Sequence, residues 1–302
     1  MPEEARHGYT LELSEPERMR YRMMAGLARE NEADLWACAG IVQGSRVADV
    51  GCGPGAVLTE IAQIVGPEGT VVGVEPGEPA RAAAREELDS LGLDHVEVRE
   101  GNGETTGLDP GAWDCVMMRH VLTHTGDGAE RIVAHLATLL APGGHLYLVD
   151  TDLDAARATP PDPDIREQFD RYAEFHRALG NDVRMGPRLG TLLRAAGLEV
   201  AEHRGGFQRI PALLLAAGGP IVSARDAMIA HGILSQDETE SWETARQRYA
   251  AQPDAELWMA NFIAIGRKPE AMGWPVTPRR TRPAPTFGCG ARTAGSRPAS
   301  WT

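Results

Sequence analysis

Residues 47–56 read Val-Ala-Asp-Val-Gly-Cys-Gly-Pro-Gly-Ala, a short apolar run followed by glycines at 51, 53 and 55. Such a run predicts a buried parallel strand turning sharply at its glycines. A helix follows, because Leu58, Ile61, Ala62 and Val65 fall on one face and Gly66-Pro67-Glu68-Gly69 stops it. Glycines let the backbone approach a ligand, and the helix N-terminus beyond favours negative groups. Two nucleotide patterns fit. One is the loose dinucleotide fingerprint through Gly51, Gly53 and Ala56; the other is an acid plus G-x-G-x-G through Asp49, Gly51, Gly53 and Gly55.

Outward from this turn the cycle repeats. TVVGVE (70–75) reads as a strand, and 79–92 is rich in strong helix formers. HVEVREG (95–101) alternates like a strand, and WDCVMMRH (113–120) is another. Asp127 and Glu130 predict a capping box for a helix bearing Ile132, Val133, Leu136, Leu139 and Leu140; HLYLVD (145–150) is a fifth strand. Strands alternating with amphipathic helices define an α/β fold, a mostly parallel sheet with helices on both faces.

The rhythm breaks after Asp150. TDLDAARATPPDPD (151–164) reads as a loop, 165–180 and 188–198 as helices, EVAEHRGGFQRI as a strand, 211–250 as mostly helical and 256–268 as a last strand. Upstream, 13–40 is helical, with Met19, Met23, Met24, Leu27 and Leu35 among charges. We expect an N-terminal helical cap over 1–45, a sheet domain over 46–268 and a disordered tail over 269–302, where proline, glycine and arginine dominate.

Composition narrows the partners. Hydrophobic content of 42% and charged content of 24% are those of a globular chain, and no apolar run approaches a membrane span. Five tail arginines against Glu270 leave the tail at +4 and the rest of the −13 chain at −17. A body so negative repels a phosphate backbone, so nucleic acid is not an expected partner. The N-terminus MPEEARHGYT lacks the order of a signal peptide, and four cysteines without a C-x-x-C pair fit neither zinc nor a disulfide framework; a cytoplasmic location is expected. Cys52, inside the turn, reads as a small residue tolerated at a crowded position rather than a nucleophile.

Asp49 separates the two nucleotide readings. A carboxylate two residues before the first glycine can meet a cationic amino group, whereas it repels a pyrophosphate. With Trp113-Asp114 before the fourth strand and Ala141-Pro142-Gly143-Gly144 before the fifth, the order from Arg46 to Asp150 resembles the class I S-adenosylmethionine-dependent methyltransferases. The resemblance implies a Rossmann-like seven-stranded sheet whose last strand is antiparallel, and S-adenosylmethionine as cofactor. It assigns Asp49, Gly51, Cys52, Gly53 and Gly55 to the methionine and ribose portions. Glu75 goes to the ribose hydroxyls and Pro76 to the adenine edge, with Gly101, Asn102 and Gly103 in the loop that meets the adenine amino group. Arg119 faces the methionine end, and Tyr21 with Arg20 in the N-terminal helix is expected to meet the cofactor's carboxylate or ring.

The acceptor is less determined. RHVLTH after the fourth strand is not the [Asn/Asp]-Pro-Pro-[Tyr/Phe] sequence of the amino-methylating branches, which leaves small molecules as acceptors, with secondary metabolism as the expected setting. A hydroxyl acceptor benefits from a base near neutral pKa, so His124 and His120, and His176 in a lid over 151–187, are the catalytic candidates. Each of the three has a structural reading beside the catalytic one. The stripe Phe169, Tyr172, Phe175 and His176 either packs on the core or touches acceptor. Asp150, Asp152, Asn181 and Asp182 loosely imitate a catechol-type metal site, but the spacing fits poorly and they read as solvated or capping acids; no metal is expected. Alternatives are N- or C-methylation, a cyclase or binding protein on the same scaffold, and, more remotely, a nicotinamide-dependent oxidoreductase. Exchange of the N-terminal helix would make a homo-oligomer.

Overall fold

The computed structural model describes residues 15–217 and 219–270. The first fourteen positions of the expected cap, and the expected disordered tail from 271 onward, lie outside these residues. Helix α1 (Glu15–Cys38) precedes β1 (Arg46–Val50), α2 (Ala56–Val65), β2 (Thr70–Glu75), α3 (Glu78–Ser90), β3 (Val96–Glu100) and β4 (Trp113–Arg119). Two short 3-10 turns lead to α4 (Ala129–Leu139), β5 (Leu140–Thr159), α5 (Pro163–Ala178), α6 (Met185–Ala195) and β6 (Glu199–Pro211). Helices α7 (Ala212–Ala217), α8 (Pro220–Ser223), α9 (Arg225–Ala230) and α10 (Gln236–Ala250) then precede β7 (Glu256–Arg267).

The seven strands form one sheet in the order β3-β2-β1-β4-β5-β7-β6, parallel from β3 to β5, with β7 antiparallel to both neighbours. Alternation sorts each strand's residues between two cores. Ala48, Val50, Val116, Met118, Leu146 and Leu148 meet α4 and α6 on one face. Val47, Cys115, Met117, Tyr147 and Val149 meet α1, α2 and α3 on the other. Leu35 and Trp36 of α1 enter this second core, so the expected cap helix is part of the sheet's covering layer.

Two local expectations are corrected. The capping box at Asp127 and Glu130 does not form: Gly126 turns the chain at φ 57° and Gly128 precedes the helix without a side-chain cap. Asp127 instead bonds Arg131 at 3.4 Å. A capping box does occur at Ser235 and Glu238, at the start of α10.

Residues 151–159 form strand, where a loop was expected. They pair with the start of β7 through Arg157↔Trp258, Ala158↔Leu257 and Thr159↔Glu256 after a bulge following Asp152. Long-range pairing here overrides the weak strand propensity of Asp, Ala and Arg. As β4 ends at Arg119, opposite Val149, the β5–β7–β6 half of the sheet stands beyond the β1–β4 edge. The seven β7 residues from Phe262 to Glu256 make that wall roughly 20 Å tall at strand rise.

A third cluster covers the wall. Ile165, Phe169, Tyr172 and Phe175 of α5 pack with Leu215, Ile221, Met228, Trp242 and Tyr249. The Tyr249 hydroxyl lies 2.9 Å and 2.8 Å from the carbonyl oxygens of Thr159 and Glu256, tying α10 to the strands. The stripe of α5 therefore packs on a core of its own, and that core recruits residues 212–257 as well as the expected insertion.

Candidate cofactor and acceptor site

The glycine turn lies at the C-terminal edge of β1, beside β4, where an open parallel sheet places its ligands. Gly51, Gly53 and Gly55 have φ of 80°, 53° and 83°. A Cβ on Gly51 would stand 2.5 Å from Val121 Cγ2, so this glycine admits the segment after β4. A Cβ on Gly53 would meet nothing within 4 Å: the turn is open at this point, as a ligand path requires.

Asp49 is 2% exposed, and its carboxylate has no hydrogen-bond partner among the described residues. Burial raises its pKa to about 7, although the Arg119 charge pulls downward and Glu75 adds to the rise. A buried, partnerless carboxylate beside a glycine turn suits an ammonium group. Glu75 accepts from the amides of Gly53 at 3.1 Å and Gly77 at 2.9 Å, and a carboxylate with about four acceptor sites keeps room for two hydroxyls. The chain thus fits the amino-acid and ribose portions of the expected cofactor.

The other predicted cofactor residues divide. Pro76 is exposed beside Glu75. Tyr21 lines a small recess with Pro54, Ala56 and Arg18, which brings α1 to the turn. Arg20 stacks on the Tyr21 ring at 4.7 Å. Cys52 turns its side chain inward, 2.8 Å from where a Gly73 Cβ would stand. Burial, with Asp49 and Glu75, pushes its thiol pKa up, so only its backbone faces the turn and it is no nucleophile. A Cβ on Gly101 would meet Val74 at 2.8 Å and one on Gly103 would meet Ile132 at 2.9 Å; packing demands both glycines. The Asn102 oxygen already accepts from the Glu104 and Thr105 amides and the Thr105 hydroxyl, all within 3.0 Å. It shapes the loop, and only its amide nitrogen is left to meet an adenine ring.

Arg119 is held by α1. Its Nη1 and Nη2 donate to Glu32 Oε2 and Oε1 at 2.5 Å and 3.0 Å, and the Tyr147 hydroxyl and Trp36 Nε1 donate to Oε2 at 2.7 Å and 3.2 Å. Burial works against the Glu32 charge, but the Arg119 charge and these bonds hold its pKa below the usual carboxylate range. Glu32 was not legible as a site residue; it is one of many acids in a charged helix. Arg81 was missed too. It donates to the carbonyls of Glu75 at 2.9 Å and Pro76 at 2.6 Å and so braces the loop behind the ribose carboxylate.

The three histidines come together at the end of β4. His120 has φ 54°, the one left-handed non-glycine among the described residues, and strain of this kind concentrates at functional sites. His120 and His124 both keep solvent-accessible surface while dense protein around them lowers their pKa, Arg119 adding to the effect at His120. His176 is 1% exposed, its ring centroid 4.9 Å from that of His124 and 4.5 Å from that of Tyr172. Its Nδ1 meets the Asn181 amide nitrogen at 3.0 Å, and its Nε2 is buried without a partner. His176 therefore backs His124 from the interior instead of reaching the surface.

Asp150, 1% exposed, accepts from the Thr123 hydroxyl at 2.5 Å and the Thr123 amide at 3.0 Å, which fixes the turn that carries His124. Asp152 bonds the Asp154 amide, and Asp182 bonds Arg188 and the Arg184 amide. No cluster of three or more His, Cys, Asp or Glu side chains is placed to hold a metal among the described residues.

Comparison with known proteins agrees with this geometry. The family model described as a methyltransferase domain matches residues 47–144. The nocamycin O-methyltransferase of Saccharothrix syringae is 37% identical over 119 residues, 39% of each chain. The ubiquinone/menaquinone biosynthesis C-methyltransferase UbiE of Yersinia pestis is 24% identical over 231 residues, 67% of this chain and 92% of that one. Among solved structures, the YcgJ protein of Bacillus subtilis superposes with a TM-score of 0.53 at 17% identity, over 80% of this chain and all of that one, a likeness of fold. Residues 47–144 are thus similar to a methyltransferase domain, in agreement with the resemblance of the chain to the class I S-adenosylmethionine-dependent methyltransferases. The chain spans less than half the length of the first two curated relatives it matches, 44% and 39%. No described helix is long and apolar enough to cross a membrane.

Proposed function

We propose that the protein transfers a methyl group from S-adenosylmethionine to a hydroxyl of a small-molecule acceptor. The observation that carries this reading is the buried Asp49 carboxylate in β1 together with the exposed His120 and His124 that follow the neighbouring strand β4. The cofactor supplies an electrophilic methyl on a sulfonium. Asp49 and Glu75 anchor its ammonium and ribose, the Asn102 amide and Pro76 border its adenine, and Gly53 leaves the path open. In-line displacement then needs mainly proximity and alignment of the acceptor with the methyl group.

His124 is the general base of this reading. Its lowered pKa keeps the imidazole neutral at pH 7, able to take the hydroxyl proton as oxygen attacks. His120 orients the acceptor, while His176, Asp150 and Thr123 hold His124 in place. The nocamycin relative supports oxygen as the accepting atom and secondary metabolism as the setting. The UbiE relative supports carbon as the second reading, in which a histidine still removes a proton. Met19 and Met23, one turn apart on α1 and 50% and 42% exposed, would be the contact for self-association.

Calorimetry with S-adenosylmethionine and its demethylated product, followed by mass analysis of a panel of phenols, alcohols and enols, tests the proposal. Binding of either sulfur ligand with a 14 Da gain on oxygen is the expected result. Tight NADH binding without either sulfur ligand would overturn the cofactor, and a gain on carbon alone would replace oxygen.

A further inference from the structure

Alternation along the strands aligns a polar row with the cofactor end of the sheet. Asp49 pairs with Met117, and Arg119, two residues on, pairs with Val149, which in turn pairs with Ile263. Met117, Val149 and Ile263 all belong to the core beneath α1. Two residues farther along, Thr151 pairs with Asn261 and Asn261 with Gly206, and Gln208 then pairs with Met259. Asp49, Arg119, Thr151, Asn261 and Gln208 therefore share the face of the sheet that α1 covers.

Thr151, Asn261 and Gln208 interrupt apolar packing and are half-buried. Ile263 on one side belongs to the α1 core, and Met259, Leu257 and Ile210 on the other pack into the cluster of α5, α8 and α10. Asn261 Nδ2 donates to Gln208 Oε1, and the two amides make no other side-chain bond among the described residues. One such bond uses one N–H and one oxygen, so it leaves a carbonyl oxygen on Asn261 and an NH2 group on Gln208. Neither is sealed from solvent.

Gly206, opposite Asn261, supplies room. Pairing runs unbroken through Gly205↔Phe262, Gly206↔Asn261 and Phe207↔Ala260, so this glycine marks no bulge, and its φ is not positive. A Cβ here would meet nothing within 4 Å. It leaves open space beside the Asn261 side chain, as a strand glycine does where a ligand approaches closely. Asn261 stands two strands from β4, about 10 Å at sheet spacing. His120, whose amide bonds the Val149 carbonyl at 2.8 Å, marks the end of β4, and one ring with its substituent spans that gap.

We propose that Asn261 and Gln208 select the methyl acceptor by a neutral carbonyl group, a ketone or an amide, carried one ring away from its reacting hydroxyl. The Gln208 amide donates to that carbonyl, and the Asn261 oxygen accepts from a neighbouring hydroxyl or N–H of the same molecule. Thr151, Gly206, Asn261 and Gln208 include no charged side chain, so a carboxylate in place of the carbonyl would lose water without gaining a counter-charge. The inference rests on the methyl-transfer reading for the place of the reacting hydroxyl; recognition of the carbonyl does not depend on it.

Three probes that differ at a single ring position test it: 3-hydroxyacetophenone, 3-ethylphenol and 3-hydroxybenzoate, titrated by calorimetry into the full chain with S-adenosylhomocysteine present. The ketone is expected to bind about tenfold tighter than either analogue, the discrimination of one hydrogen bond. Asn261→Leu and Gln208→Leu are each expected to remove the preference for the ketone over the ethyl compound. Gly206→Val, which suits a strand, is expected to weaken ketone binding about tenfold or more with S-adenosylhomocysteine affinity unchanged. Equal binding of the ketone and the ethyl compound, tighter binding of the benzoate, or a preference that survives both leucine variants would each overturn the proposal. Selective ketone binding without methyl transfer from S-adenosylmethionine would sustain it and overturn the methyl-transfer reading instead.

Discussion

Glu32 of α1 and Arg119 at the end of β4 are 87 residues apart in sequence and form a bidentate ion pair of 2.5 Å and 3.0 Å. The pair is nearly enclosed, with side-chain exposures of 10% and 12%. Removing one partner leaves the other charge buried and uncompensated. Glu32→Ala is therefore expected to lower unfolding free energy by about 3–5 kcal/mol, read by urea denaturation. Glu32→Leu with Arg119→Met, which removes both charges, is expected to recover much of that loss. If the single and double variants are equally unstable, the pair is not what joins α1 to the sheet.

Asp49 couples cofactor binding to protons. Its carboxyl is raised to about 7 by burial, so the folded protein holds a proton that an unfolded chain releases near pH 4. The stability this contributes is full below about pH 4 and is lost as pH rises through 7. A cationic amino group beside Asp49 favours the ionised form. Binding of S-adenosylmethionine at pH 6 is then expected to release up to about one proton, measured as a buffer-dependent calorimetric enthalpy, with release vanishing above pH 8. Asp49→Asn should abolish the proton release together with most of the affinity.

Gly51 and Gly53 separate folding from binding. Gly51→Ala would drive a methyl into Val121 at 2.5 Å with φ at 80°, so a large loss of stability is expected. Gly53→Ala meets no atom within 4 Å, and only its positive φ opposes it, at a cost of about 1–2 kcal/mol. Thermal melting should show Gly53→Ala folded, and titration should show its cofactor affinity sharply reduced.

His124 and its support give a third contrast. His124→Ala is expected to reduce kcat by about 10²–10⁴-fold with cofactor affinity intact. Because His120 and His124 are both held below the usual histidine range, the acid limb of the rate profile should lie well under pH 6. An ordinary limb near 6.5 would exclude both as the base. Asp150→Asn, which keeps one acceptor oxygen and so loses one of its two bonds from Thr123, should cost about 1–3 kcal/mol and lower kcat more than it raises KM.

Much of this architecture was readable in the letters. Local periodicity identified five strands and the helices between them, since Leu58, Ile61, Ala62 and Val65, or Ile132, Val133 and Leu136, bury one face wherever they fold. Residues 151–159 were not readable, because their strand exists only through pairing with Glu256 and its neighbours about a hundred residues on. The same limit hid the capping failure at Asp127, where a positive-φ glycine turned the chain.

By itself the sequence determined the parallel sheet, the glycine turn with its flanking carboxylates Asp49 and Glu75, and the histidines after the fourth strand. These are short-range features, set by spacing along one segment and by the few conformations its residues allow. Tertiary structure alone decided that Glu32 holds Arg119, that Cys52 faces inward, that Asn102 builds its own loop and that His176 stands behind His124. Each of those depends on which distant side chain fills the space beside it, and burial, charge and hydrogen bonding act only once the chain has closed.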